Sequence, residues 1–194
     1  MKQDIILAGV GGQGILSIAT VLGEAALTGG LHIKQAEVHG MSQRGGDVQS
    51  NLRISSEPIH SDLIPFGQVD MIMSLEPMEA LRYVQELSED GWIVTSSIPF
   101  VNIDNYPDKE DVYKHLNALP HVVMLDVEAL AKEAGAPAQA SNIVLLGAAI
   151  PMLGFSFETV RDAVAKVFAR KGEEVVAKNI AALEAGYRHS ISKQ

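Results

Sequence analysis

The chain has 194 residues, 47% of them hydrophobic and 20% charged, enough to bury a substantial α/β core in one domain. A net charge of −9 and a pI near 5.1 argue against nonspecific binding to nucleic acid or to an anionic membrane, since both require a basic face. The absence of cysteine excludes disulfides, thiolate nucleophiles and thiolate-held zinc or iron–sulfur centres.

The first residues lack the basic segment and small-residue cleavage site of a secretion signal, and no apolar run reaches about 18 residues. A soluble, cytoplasmic protein without a membrane span is the expectation.

An apolar run, Ile5-Ile6-Leu7-Ala8, leads into Gly9-Val10-Gly11-Gly12-Gln13-Gly14, with four glycines in six positions. Helical periodicity follows over 13–28, carried by Ile15, Ile18, Ala19, Leu22, Ala25 and Ala26. This reads as strand, tight turn and helix. Glycine is useful where the backbone must take positive φ or let a ligand come close, and the free N–H groups of the first helical turn favour an anion. The spacing Gly9-x-Gly11-x-x-Gly14 fits the dinucleotide fingerprint. Ile15 stands where the lysine of a Walker A loop belongs, which excludes that loop. The same glycines could instead serve only to pack the helix closely on the sheet.

After Gly29-Gly30 as a helix stop, 31–38 alternates like a second strand and carries Glu37 near its end. A ribose-binding acid of a Rossmann unit falls about 20 residues beyond the glycines, so Glu37 is either that acid or a solvent-facing strand end. The glycine-flanked loop His39-Gly40-Met41-Ser42-Gln43-Arg44-Gly45-Gly46 precedes a third strand at 48–54. Arg44 can hold a phosphate or carboxylate through two parallel hydrogen bonds, and Gly45-Gly46 would let the backbone approach the same group. A surface ion pair is the plainer use of that arginine.

A strand at 69–73 leads to a helix opened by Pro77, with Met78, Leu81 and Val84 as its expected buried stripe. Residues 92–94 form another short strand, 99–107 a loop, and 108–119 a helix with Val112, His115 and Leu116 on one side. Strand 122–125 and helix 127–134 follow, the latter capped by Asp126 and broken at Gly135-Ala136-Pro137. The stretch 143–153 is apolar nearly all round and reads as a central buried helix, with Gly147 permitting close packing and Asn142 as its N-cap or as a polar contact to a ligand. Ser156 caps a helix bearing Phe157, Val160, Val164, Val167 and Phe168, and a last helix spans 173–187. Strands alternating with helices predict an α/β/α three-layer fold on a mostly parallel or mixed sheet.

The six histidines show neither His-x-x-x-His nor His-Glu-x-x-His spacing, and no Gly-x-Ser-x-Gly elbow occurs. His39 with Ser42 lacks a third orienting group. No catalytic set and no metal site are predicted. What remains is an anion site lined by glycines, which binds without reacting.

These stretches together resemble the gamma-type family of 2-oxoacid ferredoxin oxidoreductases, and within it the smaller subunits of the indolepyruvate branch. The carriers are Gly9-Val10-Gly11-Gly12-Gln13-Gly14-Ile15, the loop 39–46, Glu76-Pro77-Met78-Glu79, Asn142 with Leu146-Gly147, and Lys178-Asn179 followed by Ala182 and Gly186. The Met-Ser-Gln-Arg-Gly-Gly form of the second loop is similar to the arylpyruvate branch. The resemblance covers nearly the whole chain and implies one gamma-type domain over 1–194.

It further implies a non-autonomous subunit of an enzyme that oxidatively decarboxylates a 2-oxoacid. Thiamine diphosphate and [4Fe-4S] clusters would sit on a larger alpha subunit, electrons would pass to ferredoxin, and the acyl group would leave on coenzyme A. On this reading Gly9, Gly11, Gly12, Gln13 and Gly14 form a turn for phosphate or for the partner's loop. Ser42, Arg44, Gly45 and Gly46 anchor a ligand near the active site. Two alternatives stand beside it: a stand-alone NAD(P)-dependent oxidoreductase using Glu37 and His39, and a non-enzymatic nucleotide-binding module.

Overall fold

The structure is a computed structural model that describes residues 1–39 and 45–192. Ser42 and Arg44 therefore lie outside the described residues, as does the side chain of His39. A six-stranded sheet is built from β1 (Lys2–Val10), β2 (His32–His39), β3 (Asp47–Ser55), β4 (Val69–Ser74), β5 (Leu87–Ser96) and β6 (Val122–Leu125), in the order β2-β3-β1-β4-β5-β6. Strands β1, β4, β5 and β6 pair in parallel, while β3 runs antiparallel to both β1 and β2.

Residues 4–10 of β1 are all buried, as expected of a strand covered on both faces. Ile5 and Leu7 point to one face, packing with α1 (Ile15–Thr28), α4 (Val127–Glu133), α5 (Ser141–Ala149), α6 (Phe157–Phe168) and α7 (Glu173–Ile191). Ile6 and Ala8 point to the other, where α2 (Pro77–Arg82) and α3 (Lys109–Asn117) add Ala80, Val112 and Leu116. The sheet thus lies between a thick and a thin helical layer.

Several helix starts follow from their caps. Asp126 Oδ1 accepts from Ala129 N–H at 2.8 Å, Asp108 Oδ1 from Glu110 N–H at 2.8 Å, and Ser156 Oγ from Thr159 N–H at 3.1 Å. The central helix α5 is buried on all sides, and Gly147 does permit close approach. A Cβ there would sit 2.1 Å from the Leu183 carbonyl oxygen of α7, and a Cβ at Gly186 would sit 1.9 Å from that of Val144. Two glycines on facing helices let the two backbones touch.

Five expectations are corrected. Asn142 is the second residue of α5, whose N-cap is Ala140, so it does not cap the helix. Helix α2 has only six residues, burying Pro77, Glu79 and Ala80, while Met78, Leu81 and Val84 are half-buried. His115 is exposed on α3, where Val112 and Leu116 alone face the core. Strand β5 begins at Leu87 rather than Trp92, because pairing with β4 across an irregularity between Val69 and Met71 extends a polar, weakly strand-like segment. Helix α7 continues to Ile191. Among the described residues no helix is long and apolar enough to cross a membrane.

Candidate functional site

The carboxyl ends of the parallel strands are the edge at which open α/β sheets bind ligands, and here three loops meet on it. The first is the glycine turn after β1. Gly12 has φ +104° and Gly14 φ +84°, values that L side chains rarely adopt. Gln13 folds back across the turn, its Oε1 accepting from Val10 N–H at 2.7 Å while its Nε2 donates to the Leu75 carbonyl at 3.1 Å. Gly9 is required beneath it, since a Cβ there would lie 2.9 Å from Gln13 Oε1 and 3.1 Å from Ile15. Gly9 is buried. Its role is to seat Gln13, and the surface of the turn is left to exposed Gly12 and half-buried Gly11, Gln13 and Gly14.

Helix α1 starts at Gly14 without a side-chain cap and without an acid in its first turn. Among the described residues, the N–H groups of Gly12, Gly14, Ile15 and Leu16 have no acceptor. A helix N-terminus in this condition presents partial positive charge to whatever lies above it. Asn142 reaches the same turn from α5: its Nδ2 donates to the Gly14 carbonyl at 3.0 Å, and a Cβ at Gly14 would collide with that nitrogen at 2.6 Å. The Oδ1 of Asn142 is buried and has no hydrogen-bond partner among the described residues.

The end of the second glycine motif, Gly45-Gly46, lies against the first. Gly11 N–H donates to the Gly46 carbonyl at 2.8 Å and Gly45 N–H to the Gly11 carbonyl at 3.3 Å, continuing the β1–β3 ladder beyond its last pair, Val10 with Asp47. Both sequence motifs therefore share one corner of the molecule.

The third loop, residues 97–107, was not expected at the site. Glu76, only 1% exposed, caps α2 by accepting from Glu79 N–H at 2.8 Å, and its Oε1 also accepts from Phe100 N–H at 3.4 Å and from the Tyr106 hydroxyl. Burial, followed by the bond to Glu76, pushes the Tyr106 hydroxyl well above its ordinary pKa, so it stays a donor. Asn102 Nδ2 donates to the Gly45 carbonyl, joining this loop to the second. The sequence marked Glu76 only as a helix start; the tyrosine and asparagine within a polar loop carried no periodic signal.

A cleft of about 300 Å³ opens among these loops, with Gly12, Gln13, Ser96, Phe100, Gln139 and Ser141 on its walls. Glu128 is the one charged lining residue described. Among the described residues, positive potential at the cleft comes from the free backbone N–H groups of the first turn of α1. Glu37 does not reach this corner. It is exposed on the edge strand β2, paired with Ser50 of β3, and β3 in turn pairs with β1. With a whole strand between Glu37 and the glycine turn, the acid-on-ribose geometry of a dinucleotide site is absent.

The family model for pyruvate ferredoxin/flavodoxin oxidoreductase matches residues 4–189. The chain belongs to that family. It is 32% identical to an indolepyruvate oxidoreductase subunit of Archaeoglobus fulgidus, over 99% of this chain and 97% of that protein. It is similar as well to the solved gamma subunit of a keto/oxoacid ferredoxin oxidoreductase from Geobacter sulfurreducens, with 26% identity, a TM-score of 0.72 and coverage of 98% and 99% of the two chains. A ketoisovalerate oxidoreductase subunit of Methanothermobacter thermautotrophicus is 28% identical over 93% of this chain, but that stretch is only 35% of the relative's length. Within the family, the same domain thus occurs both as a separate small chain and as part of a longer one.

Proposed function

We propose that this chain, as one gamma-type domain spanning 1–194, is the small subunit of a cytoplasmic arylpyruvate ferredoxin oxidoreductase, with indolepyruvate the preferred class of 2-oxoacid. The observation that carries the reading is the convergence of the glycine turn and the second glycine loop on one uncapped helix N-terminus, in a chain whose relatives are oxidoreductase subunits.

The chemistry divides between subunits. Iron–sulfur clusters need thiolates, which this chain lacks. Among the described residues, no group of three His, Asp or Glu side chains stands ready for a metal ion. The clusters and thiamine diphosphate are assigned to the larger alpha subunit, which passes electrons to ferredoxin.

Coenzyme A, a co-substrate rich in phosphate, is the ligand assigned to this corner. The N–H groups of Gly12, Gly14, Ile15 and Leu16 would donate to one phosphate and Arg44 to a second, with Gly45 and Gly46 keeping that side open and Ser42 adding a hydroxyl. The cleft walls beside Gln13 would then help close the pocket. Replacement of Arg44 by Ala in the reconstituted complex is expected to raise the KM for coenzyme A on the order of tenfold or more, the usual cost of a hydrogen bond to a charged group. Unchanged steady-state constants for both coenzyme A and the oxoacid refute the Arg44 role.

A further inference from the structure

Residues 97–107 form a strap that is tightly pinned yet openly apolar. Phe100, Val101 and Ile103 are 43%, 68% and 42% exposed, three large hydrophobic side chains within four positions. The strap does not wander to hide them. Glu76 holds it through Phe100 N–H and the Tyr106 hydroxyl, Asn102 ties it to Gly45, and Tyr113 of α3 donates its hydroxyl to the Ser97 carbonyl. Contiguous apolar surface kept exposed by internal bonds is the mark of an interface, and prior ordering lowers the cost of docking.

We infer that Phe100, Val101 and Ile103 are the projection on which the larger alpha subunit seats; this inference rests on the subunit reading above. Three features select that occupant. Phe100 is also a wall of the candidate cleft, and Asn102 reaches the second glycine loop, so a body that covers the cleft covers the strap as well. In the Methanothermobacter relative this domain is part of one longer polypeptide, so the remainder of that chain is tethered to it. Finally, the apolar tip is followed by exposed Asp104, Asp108, Glu110 and Asp111. A matching partner presents an apolar socket with a lysine- and arginine-rich rim.

The test compares two faces of the same molecule. Leu63 and Phe66 are exposed too, at 58% and 70%, but lie in the connection from β3 to β4 at the amino-terminal end of β1, away from the cleft. The chain is co-expressed with the alpha subunit as wild type, as Phe100→Ser/Val101→Ser/Ile103→Ser, and as Leu63→Ser/Phe66→Ser. Affinity is measured by titration, with circular dichroism to establish folding. The strap variant should bind on the order of a hundredfold more weakly, and the other variant as the wild type. If the triple variant misfolds, Val101→Glu alone carries the test, because that side chain is two-thirds in solvent already. Wild-type affinity in the strap variant, or equal losses in both variants, overturns the inference while leaving the subunit reading intact. Failure of the wild-type chain to bind the alpha subunit overturns both.

Discussion

Gly11 donates its N–H to the carbonyl of Gly46 at 2.8 Å, and Gly45 returns a bond to Gly11. Two motifs separated by some thirty positions in the chain are thereby locked into one ladder. Through Gly45 the lock also takes in Asn102 and so the strap. Side chains at the corner are few, so its shape depends on backbone contacts and on the residues that fix them.

Gln13 is the first such residue. Its replacement by Ala removes the acceptor for Val10 N–H and the donor to Leu75, two bonds worth about 1 kcal/mol each. A midpoint of thermal unfolding lower by roughly 4–8 °C is expected for a chain of this size. An unchanged midpoint would show that water replaces the side chain without loss.

The contact between α5 and α7 leaves no room for a methyl group. Gly186→Ala would place a Cβ 1.9 Å from the Val144 oxygen, and Gly147→Ala one 2.1 Å from the Leu183 oxygen. Backbone cannot yield as a flexible side chain can, so each substitution should cost about 3 kcal/mol, the upper part of the range for overpacking. Urea denaturation of each variant measures this directly.

Asp4 is 1% exposed and held by Arg53 through two bonds, of 2.7 and 3.1 Å, with Lys2 Nζ 3.1 Å away on the solvent side. Arg53 also donates to the carbonyls of Ser61 and Leu63. Arg53→Ala leaves a buried carboxylate poorly compensated and should cost about 3 kcal/mol. Adding Asp4→Asn should recover part of that loss, and a double-mutant cycle in urea reads the coupling.

Tyr83, just after α2, has its hydroxyl pKa pushed up to about 12, first by burial and then by the carboxylates of Glu79 and Asp47. Folding thus raises this pKa above the ordinary tyrosine value of about 10. The associated stability is complete below pH 10 and is lost as pH rises from 10 to 12. The unfolding midpoint should fall across that window in the wild type and fall less in Tyr83→Phe.

The alternation of strands and helices, the Asp126 and Ser156 caps and the role of Gly147 were legible because each is written in local periodicity or in residues that suit a cap or a close contact. The position of β3 between β1 and β2 was not, since no local signal tells an antiparallel insertion from a neighbouring parallel strand. That single pairing decides how far Glu37 stands from the glycine turn. Asn142 sits two positions past the N-cap, rather than at it, because the 3-10 turn Ala138–Ala140 runs straight into α5. At the site, the glycine turn was visible, but the inward fold of Gln13 and the Glu76 clamp on a loop 24 residues away depend on tertiary packing.

The central claim is that this chain supplies part of a site whose reactive groups another subunit carries. The most direct measurement is ferredoxin reduction driven by indolepyruvate and coenzyme A, with this chain titrated into a fixed amount of the purified alpha subunit. Negligible turnover by either chain alone, and activity that rises and saturates at a fixed stoichiometry, is the predicted result. Turnover by this polypeptide in isolation, or full activity of the alpha subunit without it, contradicts the claim.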